Sequence, residues 1–339
     1  MQTVILNNPG ELALIDRADP TPPSPGEALV RVARVGVCGT DIHAFRGKQP
    51  FFTYPRVLGH ELGVEVLALG SGTHGVAVGD RCAVEPYLHC GSCIACRHGK
   101  TNCCTQMRVL GVHIDGGMCS HIVVPSTKLH RSEKLSLDQL ALVETLGIGA
   151  HAVERAQVRK NEWALVIGAG PIGLSALQFI QAAGARPIVM EPNPGRVEFC
   201  RHQMGVQHII DPADKPIEKL RDVTDGDMPT AVFDATGNPQ SMAASFGLVA
   251  HGGRLVFIGL FVGDITFHDP DFHRRELTLL ASRNSRGSDF TRIIRLVEDG
   301  VVDTRPWITH RAGLNETPRE FPRWVNPESR VLKAMIEVE

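Results

Sequence analysis

The sequence predicts an α/β protein of two domains, an all-β barrel-like domain followed by a doubly wound parallel sheet. Three observations carry this reading. The chain has 339 residues, more than one hydrophobic core usually serves. Up to about residue 150, short valine- and glycine-rich runs alternate with turn signals, the pattern of an all-β domain. Beyond that point strand-like runs alternate with apolar helical ones, the pattern of a parallel sheet flanked by helices.

In the first part the strand candidates are 28–35, 63–69 and 121–125, separated by turns such as Pro22-Pro23-Ser24-Pro25-Gly26 and Val78-Gly79-Asp80. In the second, strands are expected at 164–167, 187–190, 230–234 and 251–258, with helices at 172–183 and 196–204. The polar stretch 211–229 reads as a helix with loops. After about residue 283 one helix (290–299) and a terminal strand (332–338) are expected.

Hydrophobic residues make up 43% and charged residues 21% of the chain, an ordinary globular balance. A formal net charge of -2 offers no basic surplus for nucleic acid. The start of the chain does not read as a signal peptide, and no apolar run reaches the roughly 20 residues of a membrane span. Nine cysteines, several at metal spacing, fit the reducing cytoplasm better than a disulfide framework.

Cys90, Cys93, Cys96 and Cys104 follow the spacing C-x2-C-x2-C-x7-C. Four thiolates in so short a loop can enclose one zinc tetrahedrally, as a closed structural site does. Gly91 and Gly99 supply turns. Cys103 could compete with Cys104, which is preferred on spacing. Cys82, Cys119 and Cys200 read as small buried hydrophobes.

A second donor set is Cys38, His60 and a carboxylate, Glu61 or Glu144. One thiolate, one imidazole and one carboxylate leave a tetrahedral ion one open position, the pattern of a catalytic zinc that acts as a Lewis acid on a hydroxyl. Asp41 is expected to accept from the free ring nitrogen of His60.

Gly168-Ala169-Gly170-Pro171-Ile172-Gly173 is G-x-G-x-x-G between a strand and a helix. Its glycines allow a tight turn, close approach of a pyrophosphate and helix–strand packing, with the phosphate at a helix N-terminus. Glu191, about 20 residues on, suits ribose hydroxyls and repels a 2′-phosphate, which favours NAD over NADP. Arg196 nearby could instead greet that phosphate, stack on adenine or face solvent.

Together, Gly36-Val37-Cys38-Gly39-Thr40-Asp41-Ile42-His43, Gly59-His60-Glu61, the four-cysteine loop and the glycine motif make the whole chain resemble the zinc-dependent medium-chain dehydrogenase family. Residues 47–61, Gly259-Leu260-Phe261 and Ser282-Arg283-Asn284 are similar to its polyol and sugar-acid branch, with sorbitol, galactitol and threonine dehydrogenases. The resemblance implies a GroES-like catalytic domain (1–150 and 284–339) interrupted by a Rossmann domain (151–283). It implies two zinc ions per chain, with Cys38, His60 and either Glu61 or Glu144 on the catalytic one. It implies Thr40 and His43 as a proton relay. Ile172, Glu191, Arg196, the Ile258–Gly259–Leu260 backbone and Arg283 match cofactor-contact positions, and a homotetramer or dimer is implied. Polyol members read Glu-Pro where this chain has Glu144-Thr145, so the segment carrying Glu144 is expected to be a looser loop.

The expected activity is reversible NAD-linked oxidation of a secondary hydroxyl on a polyol or sugar acid. Threonine or simple alcohol oxidation is the alternative. A zinc-ribbon binding module and a cofactor-binding protein without catalysis are rivals from other classes; the near-neutral charge and the glycine fingerprint speak against the first. A sugar acid requires a cation for its carboxylate, and Arg46, Lys48, His113 and Arg286 are the candidates.

Overall fold

The computed structural model describes residues 1–50 and 52–338. Phe51, part of the 47–61 stretch, lies outside the described residues. The chain divides into two compact units, Met1–Thr145 with Ser285–Glu339, and Leu146–Asn284. The first division, after Thr145, falls inside the helix Val143–Ala156, which also contains residue 150.

The first unit is built on a seven-stranded sheet. Its order is Leu129–Arg131, Arg81–Val84, Glu61–Leu69, Glu27–Gly36, Lys333–Glu337 and Ile308–Gly313, and His121–Pro125 also pairs with Glu27–Gly36. Strand Glu27–Gly36 alternates buried and partly exposed positions along much of its length, as a half-buried strand must. Val30, Val32, Val64, Val66, Leu58 and Phe321 pack in the core of this unit. Strand Lys333–Glu337 pairs antiparallel with Glu27–Gly36, setting Met335 opposite Gly36, so the last strand lies in the same sheet as segments far earlier in the chain, while the first strand, Gln2–Asn8, belongs to a separate three-stranded sheet.

After residue 283 the structure holds more than the one helix and one strand expected. Strand Ile308–Gly313 and helix Thr317–Trp324 are added. Pro322 inside that helix is what hid it, since proline removes an interior hydrogen bond and reads as a breaker. The 211–229 region contains helix Pro216–Val223.

The second unit is a six-stranded sheet in the order His208–Ile210, Arg186–Met190, Trp163–Ile167, Ala231–Asp234, Arg254–Phe257, Thr278–Ala281. Every neighbouring pair is parallel. Numbered along the chain, the strands lie 3-2-1-4-5-6, and the order reverses between Trp163–Ile167 and Ala231–Asp234, whose carboxyl ends are where open parallel sheets of this kind bind ligands. Leu165, Ile188, Val232 and Leu255 are fully or nearly fully buried beneath it.

Candidate metal centres and dinucleotide site

Cys38 caps helix Gly39–Phe45, and Asp41, three residues on, accepts a hydrogen bond from the Cys38 backbone N–H at 2.9 Å. This reciprocal cap holds the thiol at the start of the helix. His60 and Glu61 open strand Glu61–Leu69, which pairs with Glu27–Gly36 so that Glu61 faces Gly36. A side chain at Gly36 would stand 2.1 Å from Glu61 Oε2, so the glycine makes room for the carboxylate. The result is one cluster in which donor atoms of Cys38, His60 and Glu61 all lie within 4.8 Å of one another. His60 and Glu61 are buried, and so is Glu144, whose Oε1 accepts a hydrogen bond from the Tyr87 phenol.

Two partners of this cluster have no local motif in the sequence. Lys333, buried in the last strand, donates to both oxygens of Glu61, at 2.7 and 2.8 Å, and to the Val37 carbonyl at 3.1 Å. Burial opposes its charge, but the Glu61 carboxylate and Cys38 outweigh it and raise the Lys333 pKa. Tyr87 is the other. An isolated lysine in the apolar run Lys333–Glu337, and a tyrosine three residues before Cys90, were the available signals.

Asp41 does not make the expected bond to His60. Its Oδ1 is 3.7 Å from His60 Nδ1, beyond hydrogen-bond reach, and its oxygens serve the Cys38 and Gly59 backbone instead. His60 Nδ1 is buried with no hydrogen-bond partner among the described residues. Burial alone would depress the His60 pKa; Asp41, Cys38 and Glu144 reverse this and hold it well above the ordinary value. Burial, and then Glu61 as a like charge, raise Glu144. So many anionic groups around one imidazole call for a cation, and thiolate, imidazole and carboxylate donors suit zinc.

Glu144 is not on a loop. It sits in the first turn of helix Val143–Ala156, so a missing proline after it leaves no slack segment. Thr40 is half-buried and His43 exposed, both on helix Gly39–Phe45. Partial burial, then Arg46 and Lys48, lower the His43 pKa.

The four-cysteine group also converges. Cys90, Cys93, Cys96 and Cys104 bring their sulfurs within 4.8 Å of one another, while Cys103 is exposed and outside the group. Strands Tyr87–Leu88 and Arg108–Val109 pair antiparallel and close the loop at its base. Backbone N–H groups point at the sulfurs, Cys90 and Gln106 to Cys104 and Cys93 to Cys90, each at 3.3 Å. Hydrogen bonds from the backbone, Cys96 first, draw the Cys93 thiol down to about 5, whereas desolvation and its bond with Cys93 push Cys96 up to about 12. Four sulfurs with no fifth donor among the described residues fit one closed tetrahedral zinc. Cys82, Cys119 and Cys200 are buried.

In the second unit Gly168 turns at φ +88 and Gly170 caps helix Pro171–Ala182. A side chain at Gly173 would lie 1.8 Å from the Gly168 carbonyl oxygen, whereas one at Gly170 would meet only Arg196 Nη1, at 3.9 Å. That open space before a helix N-terminus fits a pyrophosphate. Glu191 is buried and accepts from the backbone of Ala169 at 2.7 Å and Asn193 at 2.9 Å, with Arg196 Nη1 3.8 Å away. Ile258 and Gly259 donate backbone N–H to the Asp234 carbonyl at 2.9 and 3.0 Å, and a side chain at Gly259 would stand 2.2 Å from the Gly237 nitrogen. The buried Asp234 carboxylate organises this turn by accepting from Thr236 and Ser241. It was missed in the sequence, although Asp234-Ala235-Thr236-Gly237 marks a strand end followed by a turn. Leu260 and Arg283 are exposed.

Of the four cation candidates, Arg46 donates to the Val325 carbonyl at 2.6 Å, His113 Nδ1 accepts from the Val109 backbone at 3.1 Å, and Arg286 lies 3.6 Å from Asp289. Lys48 is exposed and forms no ion pair among the described residues. No helix among the described residues is long and apolar enough to cross a membrane.

Residues 24–134 match the alcohol dehydrogenase GroES-like domain and residues 171–299 the zinc-binding dehydrogenase domain. The chain is 39% identical over 337 residues to an L-galactonate-5-dehydrogenase of Escherichia coli (strain K12), covering 99% of this chain and 98% of that protein. The structure of an rspB alcohol dehydrogenase from Escherichia coli CFT073, complexed with NADH, superposes with a TM-score of 0.92 at 29% identity, covering 99% of both chains. That of a zinc-binding dehydrogenase from Sinorhizobium meliloti 1021, bound to NADP, gives 0.91 at 26%, covering 99% of this chain and 98% of that one. With the donor sets of its first unit and the glycine turn of its second, this chain belongs to the zinc-type medium-chain alcohol dehydrogenase family, oxidoreductases acting on CH–OH groups.

Proposed function

We propose that this enzyme oxidises a secondary hydroxyl of a sugar acid of the L-galactonate kind, or of a related polyol, with NAD as the hydride acceptor. The convergence of Cys38, His60 and Glu61 on one point carries this reading; Glu144 lies outside that group but is buried and near enough to act on the charge of His60. The 39% identity to an L-galactonate-5-dehydrogenase supports the substrate class.

Cys38, His60 and one of Glu61 or Glu144 would hold the catalytic zinc, and Cys90, Cys93, Cys96 and Cys104 the structural one. When bound, zinc supplies a Lewis acid for the reacting oxygen, and NAD the hydride acceptor. The protein's own work is proton handling and orientation. Thr40 Oγ1 would accept the substrate hydroxyl proton as it gives up its own, and the His43 ring, whose pKa is lowered by partial burial and then by Arg46 and Lys48, would hand a proton on to water. Lys333 pins Glu61. Gly168, Gly170, Pro171, Ile172 and Gly173 would hold the pyrophosphate, Glu191 the adenosine ribose, Arg196 the adenine side, and Ile258, Gly259, Leu260 and Arg283 the nicotinamide half. Glu191 supports NAD over NADP because a 2′-phosphate would meet a buried carboxylate. Lys48 is the cation we assign to a substrate carboxylate.

Nine free thiols suit a reducing cytoplasm. The outermost strand of the second sheet, Thr278–Ala281, leaves Leu279 exposed at an uncovered edge, which supports a homo-oligomer, dimer or tetramer.

The test is NADH production at 340 nm with L-galactonate, galactitol, sorbitol and threonine, each with NAD and with NADP, beside metal analysis. Turnover of the sugar acid or a polyol with NAD and two zinc ions per chain is expected. Turnover of threonine alone, or a preference for NADP, would overturn the substrate or cofactor assignment respectively.

A further inference from the structure

Tyr87 is a buried aromatic residue, 2% exposed, whose hydroxyl donates to Glu144 Oε1. A buried phenol needs a partner for its O–H, and a buried carboxylate needs donors; each meets the other's requirement here. Glu144 Oε2 receives no hydrogen bond from the described residues. Tethering Oε1 restrains the carboxylate and leaves Oε2 without a donor of its own among the described residues.

The backbone that carries Tyr87 is itself firmly held. Tyr87 pairs with Val109 and Leu88 with Arg108, and Leu110 N–H donates to the Pro86 carbonyl at 3.1 Å. All four clustered cysteines lie on the chain between these two strands, so the ribbon that closes the sulfur loop is the one that presents the phenol to Glu144.

We infer that Tyr87 is a positioning residue that sets Glu144 for the Cys38–His60 centre, an inference that rests on the metal reading above. Oriented in this way, Glu144 is the second carboxylate of the centre, beside a Glu61 already engaged through both oxygens by Lys333. Tyr87→Phe keeps the ring and its packing and removes only the donor.

The experiment compares wild type, Tyr87→Phe, Glu144→Gln and the double variant. Its readouts are metal affinity by competition with a chromophoric chelator, the absorption bands of the cobalt-substituted protein, and kcat and KM. Tyr87→Phe should weaken the affinity of one of the two ions by about 10- to 100-fold, the range for groups that orient a metal ligand. It should shift the cobalt bands and lower kcat more than KM. In the Glu144→Gln background it should add little, because both changes act through one carboxylate. Unchanged affinity and cobalt bands in Tyr87→Phe, or an equal loss with Glu144 already replaced, would overturn the inference. Glu144→Gln alone reports on the underlying reading: if it leaves metal affinity intact, Glu144 is not part of the centre, and the fault lies there rather than with Tyr87.

Discussion

Lys333 gives the fully buried Glu61 carboxyl group two hydrogen bonds in place of water. The pair is buried on both sides, and removing one partner strands the other in a low dielectric. Lys333→Met should therefore cost about 3–5 kcal/mol, the usual penalty for breaking a buried pair, measured by urea denaturation of the holoprotein. A loss within experimental error would mean that the pair does not support the fold. Cys38→Ser and His60→Ala remove donors from the centre itself. Each should lose one of two zinc ions and NAD-linked turnover; undiminished turnover in either would remove that residue from the centre. The residue types of the centre could be read in the sequence, since Cys38, His60, Glu61 and Glu144 are unusual metal-type donors in recognisable local contexts. Lys333 and Tyr87 could not, because each acquires its meaning only from a partner far along the chain, Glu61 and Glu144 respectively.

At the scale of elements, the glycine turn separates two roles that look alike in sequence. Gly173 has no room for a methyl group, since it would collide with the Gly168 carbonyl oxygen at 1.8 Å. Gly170 has room, and its φ of -74 suits any residue. Gly173→Ala should lower the melting temperature of the cofactor-free protein. Gly170→Ala should leave melting unchanged but weaken NADH binding, read by fluorescence titration, because the methyl group occupies space a pyrophosphate needs. Equal effects of the two substitutions on melting would contradict this division. In the second unit periodicity marks four of the six strands, with ends that differ by a few residues where capping rather than hydrophobic pattern decides; the short strand His208–Ile210 and the largely exposed strand Thr278–Ala281 were not expected, because neither carries a clear buried run. Helix Thr317–Trp324 escaped notice because its prolines mask a strongly one-sided apolar face.

Within the first unit, one buried polar network joins distant parts of the chain. Glu85 and Lys128 form a buried ion pair, Glu85 Oε2 lies 3.3 Å from His130 Nε2, and His130 stacks on Phe290 of helix Gly287–Glu298 at 4.9 Å. Burial raises the Glu85 carboxyl, but His130 and Lys128 prevail and hold it below its ordinary 4.5. A carboxylate with a lowered folded-state pKa contributes stability that is complete above the unfolded value and is lost as pH falls through the folded one. The acid limb of the stability curve should thus fall below pH 4.5, and Glu85→Gln should lower stability at pH 7 while flattening that limb. Denaturation midpoints between pH 3 and 7, at about unit steps, test this; an unchanged limb would exclude Glu85 as its source.

By itself the sequence determined the family, and it offered the two donor sets and the glycine turn as candidates. The cysteine loop and the glycine turn are written in short spacings, cysteines a few residues apart and glycines at a strand-to-helix junction, whereas Cys38 and His60 are recognisable only by their separate local motifs. Tertiary structure alone decided what surrounds them. It set Lys333 against Glu61 across 272 residues and Tyr87 against Glu144 across 57, and it laid the last strand beside Glu27–Gly36. Such pairings come from burial and strand registry between distant segments, and no local periodicity encodes them.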